Sequence, residues 1–270
     1  MAEKIKICVV GLGEIGNNLL KALKKQDVVG VLDVKGVDID PKKIPLARKT
    51  FSGYHFGKEM DHTAEFYFIS VWTTEQVFAV LKTINKFRRA NSVIVIESTL
   101  IPGTVKKIKK LYPLLPFVIF PHRYNGDDPE HHIFNLDRVM GGNMETAVSK
   151  VIDLFQGVGL MDINKIHITS PEIAELCKPF ENAYRFAEIA LAEQMRMMCE
   201  KEGINWDAAR AAMNTKWNIN VLEARDGIGK HCLPKDIKII NDTFENDLFE
   251  ACAKLDKKYI DWVKKKGKNK

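Results

Sequence analysis

The chain has 270 residues, enough for one large domain or two modest ones, with 46% hydrophobic and 28% charged residues, an ordinary globular balance. Its net charge of +6 comes without any aromatic-plus-basic module, which excludes nucleic acid as the expected partner, and part of the excess sits in the terminal run "KKKGKNK". Five cysteines without a C-x-x-C pair exclude a disulfide framework and a structural zinc, and no apolar run reaches the ~18 residues of a membrane span. With strand-like residues following almost directly on the first methionine, the expectation is a cytoplasmic protein with no membrane association.

In chain order, "IKICVVG" (Ile5 to Gly11) predicts a buried strand rich in β-branched residues, and "NNLLKALKK" predicts a helix. Between them, "GLGEIG" sets Gly11, Gly13 and Gly16 in G-x-G-x-x-G spacing, after a strand and at the opening of a helix. The first glycine allows the tight turn, the second lets backbone approach a pyrophosphate, and the third lets helix and strand pack closely. Gly11, Gly13, Glu14, Ile15 and Gly16 are therefore candidate cofactor contacts, with phosphate charge meeting the helix N-terminus. "VKGVDID" (Val34 to Asp40) predicts a second strand whose Asp38 lies 22 residues after Gly16. A carboxylate there accepts from a ribose diol and repels a 2′-phosphate, so the cofactor expected is NAD rather than NADP, with Lys42 and Lys43 as contrary charges.

Three further strands follow in "FYFISVW" (Phe66 to Trp72), "SVIVIES" (Ser92 to Ser98) and "PFVIFP" (Pro116 to Pro121). Amphipathic helices "EQVFAVLKTINKF" and "GTVKKIKKLY" separate them, and "RVMGG" with "METAVSKVIDLF" adds a sixth strand and a helix. The alternation predicts an α/β fold, a Rossmann-type parallel sheet with right-handed crossovers and helices on both faces. In "PEHH", His131 and His132 beside Asp127 and Asp128 read as loop, so no metal is expected. From Pro171 to Glu202 the pattern becomes one 32-residue helix, capped by Ser170 and ended at Gly203. It is apolar on more than one face, which predicts cover from its own domain and from a second subunit. Three more helices are read in "WDAARAAMN", "PKDIKIIND" and "LFEACAKLDKKYIDWVKKK". The domain boundary falls near residue 168, dividing 1–168, a dinucleotide-binding domain, from 169–270, an all-helical one.

Within the long helix, Lys178 and Asn182 stand four apart and share one face. Such a pair can address one substrate oxygen, or can be a plain surface lysine and asparagine; Pro179 between them predicts a kink. In "DGIGKHCLPKD" (Asp226 to Asp236), Cys232 sits in a glycine-rich loop, as a reactive thiol or as a buried cysteine in a turn.

The segments "VVGLGEIG", "GVDID", "ESTLIPGT", "NLDRVMGG", "AELCKPFENAYR" and "DGIGKHCLPKD" together resemble the UDP-glucose/GDP-mannose dehydrogenase family of nucleotide-sugar dehydrogenases, in order and spacing across nearly all 270 residues. The resemblance implies an NAD-dependent enzyme that oxidises a primary alcohol through an aldehyde to an acid, with Cys232 forming a thiohemiacetal and then a thioester. It implies that Lys178 stabilises or protonates the oxygen at the oxidised carbon, that Asn182 supports it, and that Asp236 positions water or lysine. Thr99 falls near nicotinamide and water, Thr73 on a loop towards the cofactor, and Lys235 on a lysine found in some members. The family pairs through the region of the long helix, which implies a homodimer. Three departures stand out. The family's proline-glutamate pair, whose glutamate activates the thioester-cleaving water, is here Pro121-His122, making His122 the candidate base. Lys230 intrudes where the family has glycine. The family's further C-terminal domain, which grips the nucleotide half of the substrate, is expected to be lacking here, since the chain stops about where that domain would begin. A small substrate, an anionic sugar derivative, is expected; the alternatives are a two-electron hydroxyacid dehydrogenase and a catalytically silent NAD-binding protein completed by a partner chain.

Overall fold

The computed structural model describes residues 3–27, 30–123, 133–229 and 231–267. Lys230 and the "PEHH" histidines, with Asp127 and Asp128, lie outside the described residues. The elements run β1 (Ile5–Val10), α1 (Glu14–Gln26), β2 (Leu32–Val37), α2 (Lys43–Thr50), β3 (His55–Gly57), β4 (Phe66–Ile69), α3 (Thr74–Phe87), β5 (Val93–Ile96), α4 (Thr104–Leu111), β6 (Phe117–Ile119), β7 (Arg138–Gly142), α5 (Glu145–Gly157), β8 (Ile166–Thr169), α6 (Pro171–Lys201), α7 (Trp206–Met213), α8 (Cys232–Thr243) and α9 (Leu248–Gly267). Contacts group the chain into two compact units, Met1–Lys178 and Pro179–Lys270, the division falling inside α6.

In the first unit the strands form one sheet in the order β3-β2-β1-β4-β5-β6-β7-β8. Alternation along β1 divides the core: Ile7 and Val9 face α1, α2 and α5, while Cys8 and Val10 face α3, α4 and Ala174 of α6. Helices therefore cover both faces, as the strand–helix alternation predicts. One strand departs from the expected parallel sheet: β7 runs antiparallel to β6. The connection between them, residues 120–137, shows no helix among its described residues, and a parallel return needs a crossover of that kind. Chain order reverses between β1 and β4, a topological switch point whose crevice opens at the carboxyl ends of the strands.

The second unit is helical and has its own apolar centres. Ala183, Phe186 and Ala190 of α6 pack with Ile237 and Ile240 of α8, and Ala192 and Met197 pack with Trp206 and Tyr259. α6 is a 31-residue helix. Ser170 Oγ accepts from the Ile173 N–H at its start. At its end Gly203, at φ +71°, and Ile204 donate to the Glu200 and Cys199 carbonyls, a Schellman closure. Pro179 lies inside the helix, which stays continuous around it. Ile173, Phe180, Tyr184, Leu191 and Met198 remain exposed along α6. Among the described residues no helix is long and apolar enough to cross a membrane.

Candidate active site

The glycine loop follows β1 at the switch point. Gly11 has φ +98°, and a Cβ there would stand 2.3 Å from the Ser70 carbonyl oxygen, so only glycine fits. A Cβ on Gly16 would meet the Gly11 carbonyl oxygen at 1.9 Å, the close helix–strand approach expected of the third glycine. Gly13 differs: nothing lies within 4 Å of its Cβ position. It is the N-cap of α1 and brings no side-chain cap, so the first N–H groups of this 13-residue helix stay available. Open space against an uncapped helix N-terminus is what a pyrophosphate needs, and Glu14, Ile15 and Gly16 are the residues that face it.

Asp38 lies just past β2, not within it as read from sequence. Its Oδ2 accepts from the Leu12 N–H at 2.7 Å and from Lys43 Nζ at 3.2 Å, and Oδ1 accepts from the Asp40 N–H at 2.9 Å. Burial opposes the charge, but the Asp40 and Leu12 N–H groups and the Lys43 ammonium outweigh it and hold the carboxyl below its ordinary range. An anionic Asp38 thus sits against the glycine loop at the place where a ribose would follow the pyrophosphate. Thr73, half-buried after β4, is the N-cap of α3: its Oγ1 accepts from the Gln76 N–H, and the Gln76 side chain accepts from the Thr73 N–H. Thr99 is half-buried in the turn after β5.

At the carboxyl ends of β5 and β6 lies a buried polar cluster that sequence reading reached only through His122. His122 Nε2 stands 2.7 Å from Glu97 Oε1. Ser70 Oγ donates to Glu97 Oε2 at 2.8 Å, and Arg138, at the start of β7, lies 3.6 Å from Oε1. Arg138 is wholly buried, donates to the Phe120 carbonyl at 2.6 Å and stacks 3.5 Å from the Phe120 ring centroid. Burial would raise the Glu97 carboxyl, yet His122, Arg138 and Ser70 draw it below the ordinary carboxylate range. Burial pushes the His122 ring down to about 4, helped by the charges of Arg138 and Lys178 and opposed by Glu97, so the imidazole is neutral near pH 7. Lys178 is half-buried, and its ammonium is near enough to be felt at His122. One turn below Lys178 on α6, Glu175 accepts from the Gly103 and Val105 N–H groups and closes the N-terminus of α4.

In the second unit, Asn182 Nδ2 donates to Asp236 Oδ2 at 2.5 Å, and Lys235 Nζ donates to Asp236 Oδ1 at 2.5 Å. Asp236 is buried and holds the Asn182 amide nitrogen, which leaves the Asn182 carbonyl oxygen as the side chain's acceptor. Cys232 is exposed, and it is the first residue of α8 rather than part of the glycine loop. The helix starts two residues before Pro234 because proline is tolerated in a first turn, where its missing N–H has no intrahelical partner. The described residues contain no metal-binding cluster of His, Cys, Asp or Glu.

Comparisons with known proteins give a consistent picture. Residues 172–258 match the UDP-glucose/GDP-mannose dehydrogenase family, central domain. A UDP-N-acetyl-D-mannosamine dehydrogenase from Methanococcus maripaludis is 28% identical over 286 aligned residues, covering 92% of this chain and 64% of that protein. A UDP-N-acetyl-D-glucosamine 6-dehydrogenase from Salmonella typhi is 24% identical, over 87% of this chain and 61% of its own length. The chain thus spans less than two thirds of these relatives. Among solved structures, a UDP-N-acetyl-mannosamine dehydrogenase from Staphylococcus aureus superposes with a TM-score of 0.81 at 21% identity, covering 98% of this chain and 70% of that one. A 3-hydroxyisobutyrate dehydrogenase from Mycobacterium tuberculosis superposes at 0.75 with 14% identity, covering 95% and 94%. At these identities the superpositions speak for the fold, which is the α/β Rossmann type expected. The family resemblance carried by the motifs is borne out.

Proposed function

We propose, starting from this kinship with the UDP-glucose/GDP-mannose dehydrogenases, that the chain is the catalytic core of an NAD-dependent nucleotide-sugar dehydrogenase. The observation that carries this reading is the Asn182–Asp236 pair, which ties α6 to the helix whose first residue is an exposed cysteine, inside the segment that matches the family's central domain. Residues 1–168 form the dinucleotide-binding domain in this reading, and 169–270 the domain carrying Lys178, Asn182, Cys232 and Asp236. NAD, when bound, supplies the hydride acceptor at both oxidation levels. The N–H groups of Glu14, Ile15 and Gly16 would neutralise its pyrophosphate, Asp38 would orient the ribose diol and disfavour a 2′-phosphate, and Thr73 and Thr99 would serve the nicotinamide half.

The substrate's primary alcohol binds with Lys178 and Asn182 on its oxygen; the Asn182 carbonyl oxygen orients the hydroxyl hydrogen, and Lys178 bears the charge that develops. Cys232 Sγ then adds to the aldehyde carbon as a thiohemiacetal, and oxidation leaves an acyl-cysteine that water must cleave. Asp236 keeps Asn182 in register. The names of the relatives point to a UDP-N-acetylhexosamine as the anionic sugar derivative. The exposed row Phe180, Tyr184, Leu191 and Met198 on α6 supports a homodimer through this helix. Five cysteines, none of them in a disulfide among the described residues, support a reducing, cytoplasmic setting.

The test is a panel of UDP-N-acetylmannosamine, UDP-N-acetylglucosamine, UDP-glucose and small hydroxyacids, with NADH followed at saturating NAD. Two NADH per acid formed, abolished by Cys232→Ser, is the expected result. One NADH per substrate, indifferent to Cys232→Ser but lost with Lys178→Ala, gives the hydroxyacid dehydrogenase instead. NAD binding without turnover on any compound gives a silent subunit.

A further inference from the structure

We propose that Glu193 and Asp256 are positioning residues for Cys232: a proton held by Glu193 and shared with Asp256 latches the loop that leads into Cys232, and loss of that proton releases it. The inference rests on the reading of Cys232 as the reacting thiol and adds to it the device that holds its loop. Every residue involved belongs to the second compact unit.

The loop is tied down shortly before the cysteine. Asp256 Oδ1, on α9, accepts from the Ile228 N–H at 2.8 Å. Ile228 is buried in the cluster of Phe186, Ile237 and Ile240. Gly227, at φ +103°, brings the backbone so close to α9 that a Cβ there would stand 2.3 Å from Ile260 Cγ1. Upstream, Arg196 donates to the Ala224 and Arg225 carbonyls, and Tyr259 donates to the Arg225 carbonyl at 2.6 Å. Cys232 opens α8 only four positions after Ile228, so a shift of Ile228 is felt at the start of that helix.

Asp256 is itself met by a carboxyl. Glu193 of α6 is wholly buried, neither of its oxygens receives a donor among the described residues, and it stands within hydrogen-bonding reach of Asp256. Two buried carboxyls in contact stay together only when one carries a proton. Asp256 has the Ile228 N–H and the Lys257 ammonium in favour of its charge. Arg196, one turn along α6, is committed to Glu200, the two loop carbonyls and the Tyr259 hydroxyl. The hydroxyl's own proton goes to Arg225, and Asp226 adds a further negative charge near Tyr259. The proton therefore sits on Glu193, which burial and the Asp256 carboxylate push up to about 8, and is donated to Asp256. Because the value is raised in the folded state, the latch is fully present below the ordinary glutamate range and is lost as pH rises towards about 8. Above it, two buried carboxylates repel, and the relief is for Asp256 to leave Ile228 and turn to water. The rival assignment is an acidic pair that serves only the packing of α6 against α9.

Hydrogen exchange of the full chain read by mass spectrometry, corrected for the ordinary pH dependence of amide exchange, separates the two. In wild type, residues 224–229 should lose protection as pH rises from about 6 towards about 8, by up to about tenfold per pH unit, while residues 236–242 of α8 stay protected over the same times. Glu193→Gln keeps a donor towards Asp256 and cannot ionise. Asp256→Asn keeps an acceptor for Ile228 and offers Glu193 a donor, and it carries the comparison where Glu193→Gln does not fold. In either variant the protection of 224–229 should not change with pH. Alkylation by iodoacetamide, read at the Cys232 peptide, gives the second arm. The ratio of wild-type to variant rates should be constant below about pH 6 and change by about twofold or more by about pH 9, where most of Glu193 is ionised. Loss of protection in the loop and α8 together, loop protection that ignores pH in wild type, or an alkylation ratio constant to about pH 9 overturns the inference. If wild-type protein yields no NADH from any compound, the oxidation reading falls on its own, and exchange and alkylation still decide the latch.

Discussion

Two alanine substitutions, Gly13→Ala and Gly16→Ala, separate what the glycine loop does for folding from what it does for the dinucleotide. At Gly16 the new methyl would lie 1.9 Å from the Gly11 carbonyl oxygen and 3.1 Å from its carbon, both backbone atoms that cannot rotate aside. Helix α1 must shift off β1, an overpacking cost of about 1–3 kcal/mol. For a chain of this size that lowers Tm by roughly 2–12 °C. At Gly13 the backbone angles, φ −76° and ψ −165°, are open to alanine, and the methyl meets nothing within 4 Å. Restricting the unfolded chain gains about 0.4–1 kcal/mol, and alanine as a poorer N-cap loses a similar amount, so the net change is within about 0.5 kcal/mol. The methyl nonetheless projects into the space above the α1 N-terminus where a pyrophosphate would approach, so the Kd for NAD should rise at least about tenfold, near 1.4 kcal/mol. Differential scanning calorimetry of the ligand-free variants and isothermal titration with NAD read the two quantities separately. Gly13→Ala protein that binds NAD with the wild-type Kd, or that melts as low as Gly16→Ala, refutes the reasoning.

Three other outcomes follow from buried or exposed groups. Glu193 is fully buried in the second unit, and burial together with the nearby Asp256 carboxylate pushes it up to about 8. The folded state thus holds a proton that the unfolded chain releases near its ordinary value, so stability should fall as pH rises from about 4.5 to about 8 and then level off. Glu193→Gln should flatten that slope in Tm measured across pH; a slope equal to wild type counts against the assignment. Arg138→Met leaves the buried Glu97 charge without its guanidinium, and urea unfolding should show a loss of about 3–5 kcal/mol; a loss below about 1 kcal/mol would mean that Glu97 is neutral. Leu191→Glu, on the exposed row of α6, should convert a dimer to a monomer in light scattering at micromolar concentration, and a wild-type mass that is already monomeric removes the proposed pairing.

What the sequence makes legible here is local. β1 and the glycine loop are read together because a β-branched run, a fixed glycine spacing and the start of a helical period all fall within a few residues. The long α6 is legible for the same reason, with Ser170, Pro171 and Gly203 marking its ends. β3 and β8 escape because they are short sheet edges: β3 has three residues, and Ile168 of β8 is 61% exposed, so neither shows a buried run. The direction of β7 escapes because "RVMGG" reads the same way whichever way it runs, and nothing in the run itself distinguishes the two cases. Cys232 reads as loop because Pro234 looks like a helix start, although proline also sits comfortably at the third helical position.

The candidate site divides along the same line. Lys178, Asn182, Cys232 and Asp236 are visible as residue types at helical or loop spacing, but the Asn182–Asp236 bond joins positions 54 apart in the chain, and spacing says nothing about it. The Glu97–His122 pair, 25 apart, is further hidden because each partner looks complete in its own motif. A signal was nonetheless present in Arg138. An arginine opening a short strand of otherwise apolar and glycine residues is costly unless a carboxylate waits for it, and a carboxylate able to do so stands at the end of another strand of the same sheet. Glu97, closing the run "SVIVIE", is such a residue.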